Sequence, residues 1–133
     1  MAGGGIVIGD HVLYAQQLIH FFGDGESFVL KFDQIVHFYG FFVTTFLMFH
    51  LLKTFSSTAT TGVLIFITAA LASMGLSVMN EIVEFTAVVI AEETGVGGYF
   101  NTALDLVFNT LGAATAAVIL YVRERRKGTS VVV

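Results

Sequence analysis

Six side chains draw attention because they recur in pairs at helical spacing: Asp33 with His37, Glu81 with Glu84, and Asp105 with Asn109. Separations of three or four residues put each pair on one face of a helix. Asn80 precedes the glutamates, and Asn101 and Thr102 stand one turn before Asp105. Several kinds of chemistry use such a set. Carboxylate oxygens bind hard cations, and an imidazole adds a nitrogen suited to zinc, manganese or iron. His37, Glu81, Glu84 and Asp105 are therefore candidate metal ligands, with a divalent ion as the candidate cofactor. Crowded carboxylates also share protons, so that one serves as acid and another as base. In that reading His37 or Glu81 is the base, Glu84 and Asp105 are its partner carboxylates, Asp33 sits beside the imidazole, and Asn109 is an orienting donor. A third reading is structural: a network of carboxylates, one of them protonated, bonded to His37, Asn80 and Asn109 to hold helices in register. Proton or ion handling is a fourth.

The elements that carry these residues follow from composition. The chain has 133 residues, of which 12% are charged and 56% hydrophobic, with a mean hydropathy of +0.85. A soluble domain of this length exposes much of its surface to water and carries about twice that share of charge. A soluble globular fold, disorder and fibrous classes are excluded on these numbers. There is no cysteine, which removes disulfides, thiolate nucleophiles, Cys-ligated zinc and iron–sulfur clusters.

Three stretches lack Asp, Glu, Lys and Arg: Gln34 to Leu52, Thr54 to Asn80, and Leu106 to Val122. A membrane helix needs about 20 mostly apolar residues. The middle stretch runs on past the glutamates to Ala91, about 46 Å of helix from Thr61, so it must tilt, bend or project. Gly75, flanked by Ser73 and Ser77, is the expected bend. Phe85–Ala91 is too short for another crossing. The expectation is an all-α integral membrane helical bundle with three transmembrane helices over about 33–53, 61–92 and 101–122, so that residues 32–122 form the membrane domain.

Depth then unites the pairs. The first span runs inward from Asp33, so His37 lies about 6 Å in. The third runs inward from about Asn101, which gives Asp105 a similar depth. The second runs the other way and reaches Glu81 about 30 Å from Thr61. All three pairs fall in one layer.

Residues 1–9, with Gly3-Gly4-Gly5, read as a flexible lead. Residues 10–31 read as a short N-terminal interfacial amphipathic helix, or equally a loosely packed lid on the bundle, capped by Asp10 and running to about Phe22, then a turn at Gly23-Asp24-Gly25-Glu26. Leu18, Ile19 and Phe22 lie on one side and Gln16, Gln17 and His20 on another, although Leu13 and Phe21 stray. No basic segment precedes it, so it is not a secretory signal peptide. With three spans, Lys53 and the tail 123–133 share a side that carries Lys53, Arg123, Arg125, Arg126 and Lys127 against Glu124. The positive-inside rule makes that side cytoplasmic. The tail is then a topology signal and not a nucleic-acid site, and the N-terminus lies outside a plasma membrane.

Other residues read more plainly. His50 belongs at the interface, and 13 residues of helix, about 20 Å, separate it from His37, too far to clamp one haem. Gly112, Ala113, Ala116 and Ala117 form a small-residue packing face. The sequence has no phosphate loop, no Gly-x-Ser-x-Gly elbow and no His-Glu-x-x-His.

The run Phe32-Asp33-Gln34-Ile35-Val36-His37-Phe38-Tyr39-Gly40 resembles the Asp-Lys-x-x-His-Phe opening of VanZ-like membrane proteins. It is closer still to YjdF-like bacterial and archaeal inner-membrane proteins. Asn80-Glu81-Ile82-Val83-Glu84-Phe85 is similar to that group's Glu-x-x-Glu-aromatic segment. The run from Asn101 to Ala113 is similar to its Asp-Thr-x-x-Asp-x-x-x-Asn-x-x-Gly-Ala segment. Gln34 stands where the family usually has Lys, and Asn101 where it often has Asp. Such chains usually carry further helices before the first motif, so this one reads as a minimal version or a fragment. The resemblance implies an envelope or lipid role, through the association of VanZ-like proteins with glycopeptide resistance. The expected partners are the lipid bilayer, a lipid headgroup or small envelope substrate, and a homo- or hetero-oligomer. A non-enzymatic membrane subunit or scaffold is the alternative.

Overall fold

The computed structural model describes residues 7–8, 11–13, 17–20, 29–55, 62–90 and 99–129. Short strands come first: β1 (Val7–Ile8) pairs antiparallel with β2 (His11–Val12), and β3 (Gln17–His20) with β4 (Val29–Lys31). Three helices follow: α1 (Phe32–Phe55), α2 (Val63–Ile90) and α3 (Tyr99–Thr129). All three are long and apolar enough to cross a membrane.

The expected interfacial helix is not present in the described part of residues 10–31. His11–Val12 and Gln17–His20 are strands, and Leu13 has a 3-10 turn conformation. The Asp10 cap, the helix end at Phe22 and the turn at residues 23–26 lie outside the described residues, as does most of the 1–9 lead. A helix of a dozen residues is marginal on its own, and this one separates its polar and apolar sides poorly. Pairing with Val29–Lys31 instead gives one edge of Gln17–His20 backbone partners and leaves Leu18 and Ile19 exposed.

β4 leads directly into α1. Lys31 is the residue before the helix and Gln34 is its third residue. Gln34 Oε1 accepts the Lys31 backbone N–H at 2.7 Å, the Gln half of a capping box. α2 is unbroken through Gly75. Its 28 residues span about 42 Å, well beyond a hydrocarbon core of about 30 Å. α3 continues through the basic residues that follow Val122.

Side-chain partners give the register. Moving down α1, Gln34 meets Asp105, His37 meets Asn109, and Lys53 meets Glu124, so α1 and α3 are parallel. Against α2, His37 lies by Glu81, the Phe41 carbonyl accepts from Ser73 at 3.1 Å, and Phe49 stacks on Phe66. α2 is therefore antiparallel to both. α1 and α3 make the most extensive helix pair.

The interior changes character along its axis. On α2 the buried residues recur every fourth position as Ile65, Ala69, Ser73, Ser77 and Glu81, with Ala70 beside them. On α1 they are Gln34, His37, Thr45 and Phe49, and on α3 Asn101, Asp105, Asn109, Ala113, Ala116 and Leu120. One end of the core is thus wholly polar. The other is apolar, with Phe46, Met48, Leu52 and Phe66 packed against Phe49, Ile65, Ala69 and Leu120. Large apolar side chains such as Leu47, Leu71, Val83 and Val118 point outward instead, where lipid is their natural solvent. Exposed hydroxyls of Thr44, Thr54, Thr86, Thr110 and Thr115 donate to the carbonyl four residues back, so none is left unsatisfied in that environment.

Candidate functional site

All six side chains singled out by spacing meet in the polar end of the core. Asp105 is 1% exposed, Asn109 0%, Glu81 4% and His37 8%. Asp33 and Glu84 are only partly buried and form the rim.

Every carboxylate of the set receives an amide N–H. Gln34 Nε2 donates to Asp105 Oδ1 at 2.8 Å, and Asn101 Nδ2 to Asp105 Oδ2 at 2.6 Å and to Asp33 Oδ2 at 3.0 Å. Asn109 Nδ2 donates to Glu81 Oε1 at 3.0 Å, and Asn80 Nδ2 to Glu84 Oε1 at 2.7 Å. These bonds tie α1, α2 and α3 together and fix how each carboxylate is turned.

Hydrogen bonding also sets the histidine tautomer. Because the Asn109 amide nitrogen serves Glu81, its oxygen faces the ring, 3.1 Å from His37 Nδ1. Nδ1 must therefore carry a proton, and the same nitrogen stands 3.3 Å from Glu81 Oε1. In the neutral ring Nε2 then holds a lone pair. That nitrogen is 3.5 Å from Asp33 Oδ1 and 4.0 Å from Glu84 Oε1. A lone pair facing two carboxylates is repulsive unless a proton or a cation lies between them.

A further atom is uncompensated. Glu81 Oε2 is buried and has no hydrogen-bond partner among the described residues. Two sets of residues bring ligand atoms within 4.8 Å of one another: Asp33, His37 and Asp105, and Glu81, Glu84 and Asp105. The candidate ligands His37, Glu81, Glu84 and Asp105 thus all belong to one set or the other. A neutral histidine with its second nitrogen hydrogen-bonded, and carboxylates held by amides, is the usual outer shell of a metal site.

A model of a predicted membrane protein family, DUF2238, matches residues 3–126. The chain belongs to that family. Neither the curated proteins nor the solved structures return a match.

In this member of DUF2238 the site contains two residues that the spacing argument leaves outside the six. Gln34 is 0% exposed and bonds to both Asp105 and Asn101, the latter at 3.3 Å. Asn101 is the hub between Asp33 and Asp105. A signal for both was present: Gln34 is i, i+3 from His37, and Asn101 opens the series 101, 105, 109 on one helix face. His50 is exposed near the opposite end and takes no part. At that end Glu124 accepts from Lys53 at 2.9 Å and from Lys127 at 2.7 Å, which places Lys53 beside the basic end of α3.

Proposed function

We propose that the cluster is a divalent-cation centre in the outer half of the membrane domain, with Asp33, His37, Glu81, Glu84 and Asp105 supplying ligands. The observation that carries this reading is the unpaired Glu81 Oε2. A buried carboxylate oxygen without a donor is costly in a bilayer, and a cation between the two glutamates and Asp105 removes that cost. The Nε2 lone pair of His37, facing oxygens of Asp33 and Glu84, adds support. The basic end of the bundle reads as cytoplasmic by the positive-inside rule, so the rim of Asp33 and Glu84 opens toward the outside. A cation held there would act as a Lewis acid on an oxygen of a lipid headgroup or small envelope molecule.

The resemblance to YjdF-like and VanZ-like proteins is compatible with this reading. Its two departures, Gln34 for Lys and Asn101 for Asp, are in contact here. The two positions form an amide pair in this chain, and a Lys with an Asp there would carry the same summed charge.

The test is metal content. Protein purified in detergent is stripped with a chelator, reloaded with Mn²⁺, dialysed and analysed by mass spectrometry. At least one ion per chain is expected to remain, and Asp105→Asn should lose it while helicity by circular dichroism is retained. Absence of retained ion in folded wild-type protein overturns the proposal. In that event, a loss of stability in Asn109→Leu would favour the second reading, a register lock, for which the amide donated to every carboxylate is the support.

A further inference from the structure

We infer that the centre is binuclear, holding two divalent cations that share the Asp105 carboxylate; this rests on the cation reading above. The two ligand sets are distinct except for Asp105, which belongs to both. Asp33 and His37 come from α1, Glu81 and Glu84 from α2, and Asp105 from α3 between them. Each set alone offers three ligands, enough to hold an ion with its remaining positions open.

The surroundings of Asp105 suit a bridge. Its two oxygens are held by different amides, Oδ1 by Gln34 and Oδ2 by Asn101. Each carboxylate oxygen has two lone pairs, so one remains on each after these bonds. The carboxylate is held at both oxygens and keeps an acceptor lone pair on each. A carboxylate shared in this way is characteristic of paired ions about 3.5–4 Å apart.

Charge points to the same number. Asp33, Glu81, Glu84 and Asp105 bring four negative charges into one layer, and His37 can be neutral with Nδ1–H bonded to Asn109. One divalent ion leaves two charges uncompensated within the cluster, of which Glu81 and Asp105 are buried and Asp33 and Glu84 half-buried. Two divalent ions leave none, and each set contains a residue with an uncompensated atom: His37, through Nε2, in the first and Glu81, through Oε2, in the second. The sets differ in preference. The first mixes nitrogen and oxygen and suits zinc, iron or manganese, whereas the second is all oxygen and suits magnesium, calcium or manganese. Manganese is common to both.

The experiment is Mn²⁺ titration of the stripped, full-length protein, read by stoichiometry and electron paramagnetic resonance. Two ions per chain are expected, with the six-line signal of isolated Mn²⁺ broadened by coupling between them. Glu81→Gln and Glu84→Gln should each drop the count to one and restore an isolated signal, with helicity unchanged. One ion in wild-type protein overturns the binuclear inference and leaves the cation site standing. Two uncoupled ions also overturn it, because they would not share Asp105. No ion at all removes both.

Discussion

Gly112→Ala links packing to the site. A Cβ built at Gly112 overlaps the Phe38 carbonyl oxygen and stands 3.0 Å from Phe38 C and 3.1 Å from Phe42 N. These are backbone atoms of α1, and no side-chain rotation relieves them. Ordinary non-bonded approach is about 3.5 Å or more, so α1 and α3 must part by about 1 Å. Gly112 lies one turn from Asn109, whose bond to His37 is already 3.1 Å. The same displacement carries that bond beyond hydrogen-bonding range. Overpacking of this kind costs about 1–3 kcal/mol, and the lost bond adds to it. The helix propensity of alanine offsets about 1 kcal/mol, leaving a net loss of about 2 kcal/mol. Unfolding in mixed detergent followed by circular dichroism measures it, with metal content as the second readout. Gly40→Ala and Gly75→Ala are the controls, since nothing lies within 4 Å of a Cβ at either; both should be neutral or slightly stabilising. If Gly112→Ala is as stable as the controls and retains the same metal, the close approach of α1 and α3 does not set the site.

Four further outcomes are expected. Asn101→Asp should destabilise the bundle, because it adds a carboxylate beside Asp33 and Asp105, and Gln34→Lys should restore part of the loss; a double-mutant cycle should give coupling of about 0.5–3 kcal/mol, and additive effects would refute the contact. Asn109→Leu should cost about 0.6–2 kcal/mol, the range of interhelical polar bonds in bilayers, measured by the same unfolding assay; an unchanged midpoint would mean the three-helix link is energetically silent. Lys53→Ala should cost under about 1 kcal/mol and lose its effect in high salt, as exposed pairs do. Because the chain has no cysteine, Glu92→Cys should react with an impermeant maleimide in whole cells and Val131→Cys only after permeabilisation; the opposite pattern would invert the orientation.

The spans were legible because lipid demands long apolar runs, and that demand is written in every residue. The convergence of His37, Glu81 and Asp105 was legible too, since helical rise converts sequence distance into depth. Gln34 and Asn101 were harder to assign. Uncharged amides give no sign of burial by type, and their role depends on Asp33, Asp105 and the cap at Lys31 being in place. The N-terminal strands were not legible, because periodicity over a dozen residues favours a helix slightly. The pairing of Ile19 with Leu30 is a non-local gain that periodicity does not register. Gly112 read only as one small residue in a packing face, and nothing local says that the Phe38 carbonyl occupies the space a methyl group would need.

The graded core has a consequence for traffic. Beyond Thr45 and Ser73 the buried interior consists of Phe49, Ile65, Ala69, Ala70 and Leu120, with no buried polar group among the described residues. Dehydrating an ion there would find no oxygen to replace its water. The ion-ligating side chains are therefore confined to one end of the described core, and an ion held at the proposed site would find no buried side-chain oxygen further along it.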